Sequence, residues 1–173
     1  MNEVLNCLET RRSVRKYLPK QIADAELNAI LEAGIYAPTA MGRQSPKIVV
    51  LQKPEDVAEL ERMNAAVLGN PDSHPFYGAP TVLVVLADAK AGTAVEDGSL
   101  VLGNLMNAAH ALGVGSCWIH RAREEFASDE GKALLKRWGI EGDWVGVGHC
   151  ILGYAAEPAV PAKPRKADYI VRV

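Results

Sequence analysis

TVLVVLA, residues 81–87, is an almost unbroken apolar run of strand length. A strand with one wet face alternates apolar and polar residues, so this run belongs at the centre of a sheet covered on both sides. One cover lies close by. In VEDGSLVLGNLMNAAHAL, residues 95–112, the apolar residues Val95, Leu100, Val101, Leu102, Leu105, Met106 and Leu112 occupy most sides of a helix. That distribution predicts a buried helix, ended by Gly113.

Outward from this pair, KIVVLQ (47–52), VGSCWI (114–119) and VGVGHCILG (145–153) read as further strands, and DYIVRV (168–173) as a last short one. A short helix is predicted over 2–10, with Val4, Leu5 and Leu8 on one side. A second, capped by Asp24, runs to about Gly34, with Leu27, Ile30, Leu31 and Ile35 at helical spacing. PEDVAELERMNAAVL (54–68) opens on a proline suited to a first helical turn, and Ser128 is placed to cap a helix ending near Gly139. Residues 37–46 and 69–80 are rich in proline, glycine and small polar residues and read as loops. Helices and strands do not alternate regularly. The expected fold class is therefore α+β, a single mixed or antiparallel sheet flanked by helices. The proline-rich segment EPAVPAKPRK (157–166) and the strand after it pack poorly in a monomer. Residues 153–173 are expected to form an arm reaching a partner subunit's sheet edge.

The chain has 173 residues, 49% hydrophobic and 23% charged, which suits one domain over 1–173 with a core of its own. No apolar run reaches the roughly 18–20 residues of a membrane helix, and the start MNEVLNCLETRR lacks a signal-peptide core, so the expected compartment is the cytoplasm. Cys7, Cys117 and Cys150 are too widely spaced for a CxxC motif or a disulfide framework and read as buried thiols. His149 and Cys150 are adjacent on a strand and so face opposite sides, and no metal site is expected. A formal net charge of -2 argues against a general nucleic-acid binder.

Against that balance, ETRRSVRKYLPK (9–20) concentrates Arg11, Arg12, Arg15 and Lys16 around Ser13, and a second cluster, Lys163, Arg165 and Lys166, lies near the other end. Guanidinium forks pair bidentately with phosphate oxygens, and a serine hydroxyl fills a remaining acceptor. The two clusters are suited to one phosphate-bearing ligand if the fold joins them. The dinucleotide signature GxGxxG is missing: GVGSCW (113–118) lacks its third glycine and follows a helix. No Walker A sequence appears either, which leaves a mononucleotide.

Five segments then stand in order: RRSVRKY (11–17), APTAMGRQSPKIVVL (37–51), FYGAPTVLVV (76–85), EDGSLVLGNLMNAAHALGVGSCWI (96–119) and GHCILGYAAEPAVPAKPRK (148–166). Together they resemble the nitroreductase family of FMN-dependent oxidoreductases over nearly the whole chain. The resemblance implies a homodimer with FMN at each subunit interface. It places Arg11, Arg12, Ser13 and Arg15 at the phosphate, ribityl chain and pyrimidine edge, with Lys163 and Arg165 completing the phosphate site. It brings Pro38, Thr39 and Ala40 to the flavin from the partner subunit, with Gly42 where the family has asparagine. It sets the backbone of Ile119, His120 and Arg121 near the flavin N5 edge, and Asn70 is the candidate for an asparagine before the central strand. Arg15 is placed to stabilise the anionic reduced ring and so raise its potential.

The function implied is hydride transfer from NAD(P)H through flavin N5 to a nitroaromatic, quinone or similar acceptor by a ping-pong scheme. No acid–base side chain is required, because the flavin carries the chemistry. Two alternatives stay open: a flavin-binding protein without nicotinamide turnover, and an interaction module whose cations bind an anionic partner. His110 and Trp118 read as core or interface residues, and Asp97 and Glu96 as acidic residues favoured in a helix's first turn.

Overall fold

The structure, a computed structural model, describes residues 2–173. Four strands, β1 (Pro46–Leu51), β2 (Thr81–Asp88), β3 (Gly115–Ile119) and β4 (Trp144–Gly153), form one sheet in the order β1-β2-β4-β3. Their pairings are all antiparallel. Six helices pack around it among the described residues: α1 (Glu3–Thr10), α2 (Asp24–Ile35), α3 (Pro54–Leu68), α4 (Ala94–Ala111), α5 (Ala122–Ala127) and α6 (Asp129–Arg137). The class is α+β, as the sequence predicts.

The apolar run of β2 is unbroken because each face has its own core. Leu83, Val85 and Ala87 pack with Leu102 and Leu105 of α4 and with Leu27 and Ile30 of α2. Val82, Val84 and Leu86 pack on the other side with Leu60 and Met63 of α3, Phe126 of α5 and Leu134 of α6. Helices press close on β4 from both sides. A Cβ on Gly98 of α4 would lie 2.5 Å from Val147 Cγ2, and one on Gly146 of β4 would lie 2.0 Å from the Ala122 carbonyl oxygen. Only glycine permits either approach. The Gly146 contact seats the first turn of α5 directly on the sheet.

Pro54 opens α3 and Gly69, at φ 76°, closes it. Ser128 Oγ accepts the Gly131 amide at 3.0 Å and caps α6. Three expectations need correction. Asp24 is the first residue of α2, not its cap; the helix start is held by the Glu26 carboxylate, which accepts the Ala23 amide at 2.9 Å. Helix α5 was not predicted, because six residues are too few to show a period. Residues 168–173 form no strand: a turn covers 167–169 and the whole stretch 155–173 is exposed. A strand needs a ladder partner, and within one chain this segment has none.

Candidate functional site

Residues 13–18 form a strap that brings the two ends of the chain together. Ser13 bridges Ser116 in parallel, and the Val14 amide donates to the Ser116 carbonyl at 2.9 Å, which ties the strap to the outer edge of β3. It then meets the root of the C-terminal arm. Leu18 N–H donates to Tyr154 O at 2.9 Å and Ala156 N–H donates to Lys16 O at 3.0 Å. Tyr17 is buried between them, with its hydroxyl on the Val14 carbonyl at 2.7 Å. Lys16 pairs with Glu157 across the same seam.

The consequence is a cavity of about 360 Å³ lined by Arg11, Arg12, Ser13 and Arg15 from the front of the chain and by Lys163 and Arg165 from the back. Arg11, one of these lining residues, has a buried Nη1 with no hydrogen-bond partner among the described residues. A buried guanidinium nitrogen without an acceptor is costly. Arg12 is partly engaged already: its Nη1 donates to the Glu9 and Arg11 carbonyls, both at 2.7 Å, covering the open end of α1. His110 lies behind these cations. Thr10 Oγ1 donates to Asn6 O at 2.6 Å, so at the 2.8 Å contact His110 Nε2 carries the proton. Burial, together with Arg11 and Arg12, holds the His110 pKa below its usual value and keeps the ring neutral.

The other expected site residues fall elsewhere on the chain. The loop holding Pro38, Thr39, Ala40 and Gly42 lies between α2 and β1. It carries left-handed backbone at Met41 (φ 55°), Gly42 (φ 64°) and Gln44 (φ 51°). Thr39 lines a different cavity, of about 330 Å³, with Leu31, Ile35, Pro46, Ile48 and Val50 beside the open edge of β1. Ile119, His120 and Arg121 leave the end of β3. The Ile119 side chain is committed to the core, so only its backbone is free to meet a ligand. Asn70 is exposed at the end of α3, where its amide donates to the Ala65 carbonyl and its carbonyl accepts Ser73. It lines neither cavity. Cys117 and Cys150 are buried, and burial pushes the Cys150 thiol pKa far up, which leaves that sulfur protonated and inert. No cluster of metal-binding side chains occurs among the described residues.

The Nitroreductase family model matches residues 8–76 and 70–154. The chain belongs to the nitroreductase family. A relative from Archaeoglobus fulgidus, named NADH dehydrogenase/NAD(P)H nitroreductase, is 32% identical over 159 residues, 89% of this chain and 86% of its own. A relative of the same name from Methanothermobacter thermautotrophicus is 30% identical over 124 residues, 67% of this chain; the match spans 60% of that relative's length. The nitroreductase of Bacteroides fragilis, crystallised with bound FMN, superposes with a TM-score of 0.91 at 34% identity, and the match covers 100% of both chains.

Two side chains that anchor the candidate site of this family member were not singled out for it from the sequence. Asp97, buried on α4, accepts the Ala40 amide at 3.0 Å and the Ser45 hydroxyl at 2.7 Å, with Thr93 Oγ1 at 3.3 Å. Burial opposes its ionisation, but these three donors outweigh that and hold its carboxyl below the ordinary 3.8. It clasps the left-handed loop from below. Asn64, buried on α3, donates from Nδ2 to His120 O at 2.8 Å and accepts Arg121 Nε at 2.9 Å. Arg121 stands at φ 83°, a conformation that costs a non-glycine residue about 1–3 kcal/mol. The only sequence signal for either was a polar residue inside an otherwise apolar helical face.

Proposed function

We infer that this protein is an FMN-dependent oxidoreductase that draws on NAD(P)H and works as a homodimer. The observation that carries the reading is the convergence of Arg11, Arg12, Ser13 and Arg15 with Lys163 and Arg165 around one cavity. FMN bound there would supply the two-electron chemistry, taking hydride from a reduced nicotinamide and passing it to a nitroaromatic, quinone or similar acceptor that occupies the same pocket in turn. The FMN-bound Bacteroides fragilis neighbour and the names of the archaeal relatives support this assignment.

The residues of this chain hold, orient and tune. Arg11, Lys163 and Arg165 bind the phosphate, with Arg12 and Ser13 beside them. Arg15 supplies a fixed cation for the pyrimidine edge. The backbone of 119–121 meets the ring, and the partner subunit's Pro38, Thr39, Ala40 and Gly42 close it. Gly42 is left-handed with open space where a Cβ would stand; glycine and asparagine are the residues that tolerate this conformation.

The dimer reading rests on the surfaces one chain leaves bare. Val4, Leu5 and Leu8 of α1 stay 65%, 53% and 52% exposed, and Tyr169, Ile170, Val171 and Val173 are more exposed still. The outer edge of β1 has no neighbouring strand among the described residues. Of the expected arm, residues 153–173, the root through Glu157 is tied to β4 and the strap of its own chain; we place the remainder across the partner subunit, its apolar end paired along a sheet edge. Visible spectra of the purified protein, followed by anaerobic titration with NADH and with NADPH, test the function. Loss of the flavin band with either donor is expected; a band that persists with both refutes turnover.

A further inference from the structure

The surface arginines Arg62 and Arg137 are paired with Glu130 and Glu59. Arg121 makes no ion pair among the described residues, although it is more buried than either and is held by a costly backbone. Its restraint has three parts. Asn64, with no solvent exposure, holds the Arg121 side chain and the backbone before it at once, accepting from Arg121 Nε and donating to His120 O. The left-handed backbone at Arg121 caps α5, whose next residue, Ala122, is seated on Gly146 with no room for a side chain between them. A guanidinium is a rigid plane, so fixing Nε also fixes the direction of Nη1 and Nη2. Neither terminal nitrogen has a hydrogen-bond partner among the described residues. The arrangement is a presented fork, oriented before any ligand arrives and with its charge unspent.

The geometry points to Arg121 as the receptor for an anionic group on the electron acceptor, with Asn64 as the residue that positions it. The inference rests on the oxidoreductase reading, in which residues 119–121 border the flavin ring. A group within reach of Arg121 then belongs to the molecule lying on that ring. The phosphates of a nicotinamide nucleotide lie at the far side of its ribose, whereas a carboxylate on an aromatic acceptor is attached to the reacting ring itself. The acceptor class is therefore a flavin-reducible aromatic carrying a carboxylate.

The test uses 4-nitrobenzoate and 4-nitrobenzamide, equal in shape and different in charge, with the FMN-loaded protein. In the parent, kcat/KM for the carboxylate is expected to exceed that for the amide by about tenfold or more. Arg121→Gln removes this preference, and Arg121→Lys, which keeps charge without the fork, restores part of it. Asn64→Leu removes it with Arg121 still present; if that variant does not fold, Asn64→Asp, which keeps the acceptor for Nε but loses the donor to His120, serves instead and lowers it. A purely structural role would lower both arms together and leave the ratio unchanged. A parent without preference, or an Arg121→Gln variant that keeps it, overturns the inference. So does an effect confined to NADPH against NADH, which would assign Arg121 to the nucleotide. Binding of both probes, read from flavin difference spectra, separates this from the oxidoreductase reading. A protein that never bleaches but still favours the carboxylate through Arg121 fails only as an oxidoreductase. One that bleaches without preference fails only here.

Discussion

The carboxylate of Asp97 accepts the backbone amide of Ala40 at 3.0 Å, joining residues 57 positions apart in sequence. Its other oxygen takes the Ser45 hydroxyl, so the loop between α2 and β1 is fastened at both ends. Asp97→Asn keeps one acceptor and turns the other into a donor facing hydroxyls. The expected loss is about 1.5–3 kcal/mol. Because the folded pKa lies below 3.8, this stabilisation is present above that value and is lost as pH falls through the folded pKa. Urea unfolding of parent and variant at neutral and acid pH checks both statements. The difference between the two narrows in acid; a gap that stays constant would contradict the role of the charge.

Arg11 and Lys163 come from opposite ends of the chain and line one cavity. If they hold a phosphate, Arg11→Ala and Lys163→Ala each weaken FMN binding about 10- to 100-fold. Riboflavin, which lacks the phosphate, is affected far less. Fluorescence titration of the apoprotein with both flavins reads the difference. Equal losses for the two ligands would place the arginine and lysine elsewhere on the molecule.

Arg15 lines the same cavity and makes no ion pair among the described residues. Its proposed role is electrostatic, so Arg15→Gln shifts the flavin midpoint potential to more negative values. About 30 mV corresponds to 1.4 kcal/mol for a two-electron couple. Reduction against an indicator dye measures it. An unchanged potential with weakened FMN binding would leave Arg15 a simple anchor.

His149 Nε2 and Glu125 Oε2 meet at 2.5 Å, both side chains are fully buried, and the His149 ring packs against Phe76 and Phe126. Removing one partner strands the other. His149→Leu is expected to cost about 3–5 kcal/mol, while replacing both by leucine costs less than the single change. Chemical denaturation of the two singles and the double gives the coupling. Additive losses would show that the pair contributes through packing alone.

Much of this was legible in the chain. The run at 81–87 demanded cover on two sides, and the structure supplies a core on each. The boundaries of α3 and the Ser128 cap were readable because a proline, a glycine and a serine act locally. Helix α5 was not readable, since its place is set by contact with Gly146 rather than by any repeat of its own. The strand expected at 168–173 is not formed within one chain, because pairing requires a second edge and the expectation set that edge on a partner subunit. Asn70 was picked out by the resemblance, as an asparagine before the central strand; its backbone hydrogen bonds close the end of α3.

By itself the sequence determined what depends on neighbours along the chain: helix ends, the apolar periods, and the presence of two cationic clusters with a phosphate's chemistry. Tertiary structure alone decided which distant groups meet. The strap at 13–18 carries the first cluster to the second, Asp97 reaches Ala40, and Asn64 holds Arg121. Such pairings carry no local signature, because a hydrogen bond across 57 residues is selected by the packing of helices on a sheet rather than by the residues that flank it.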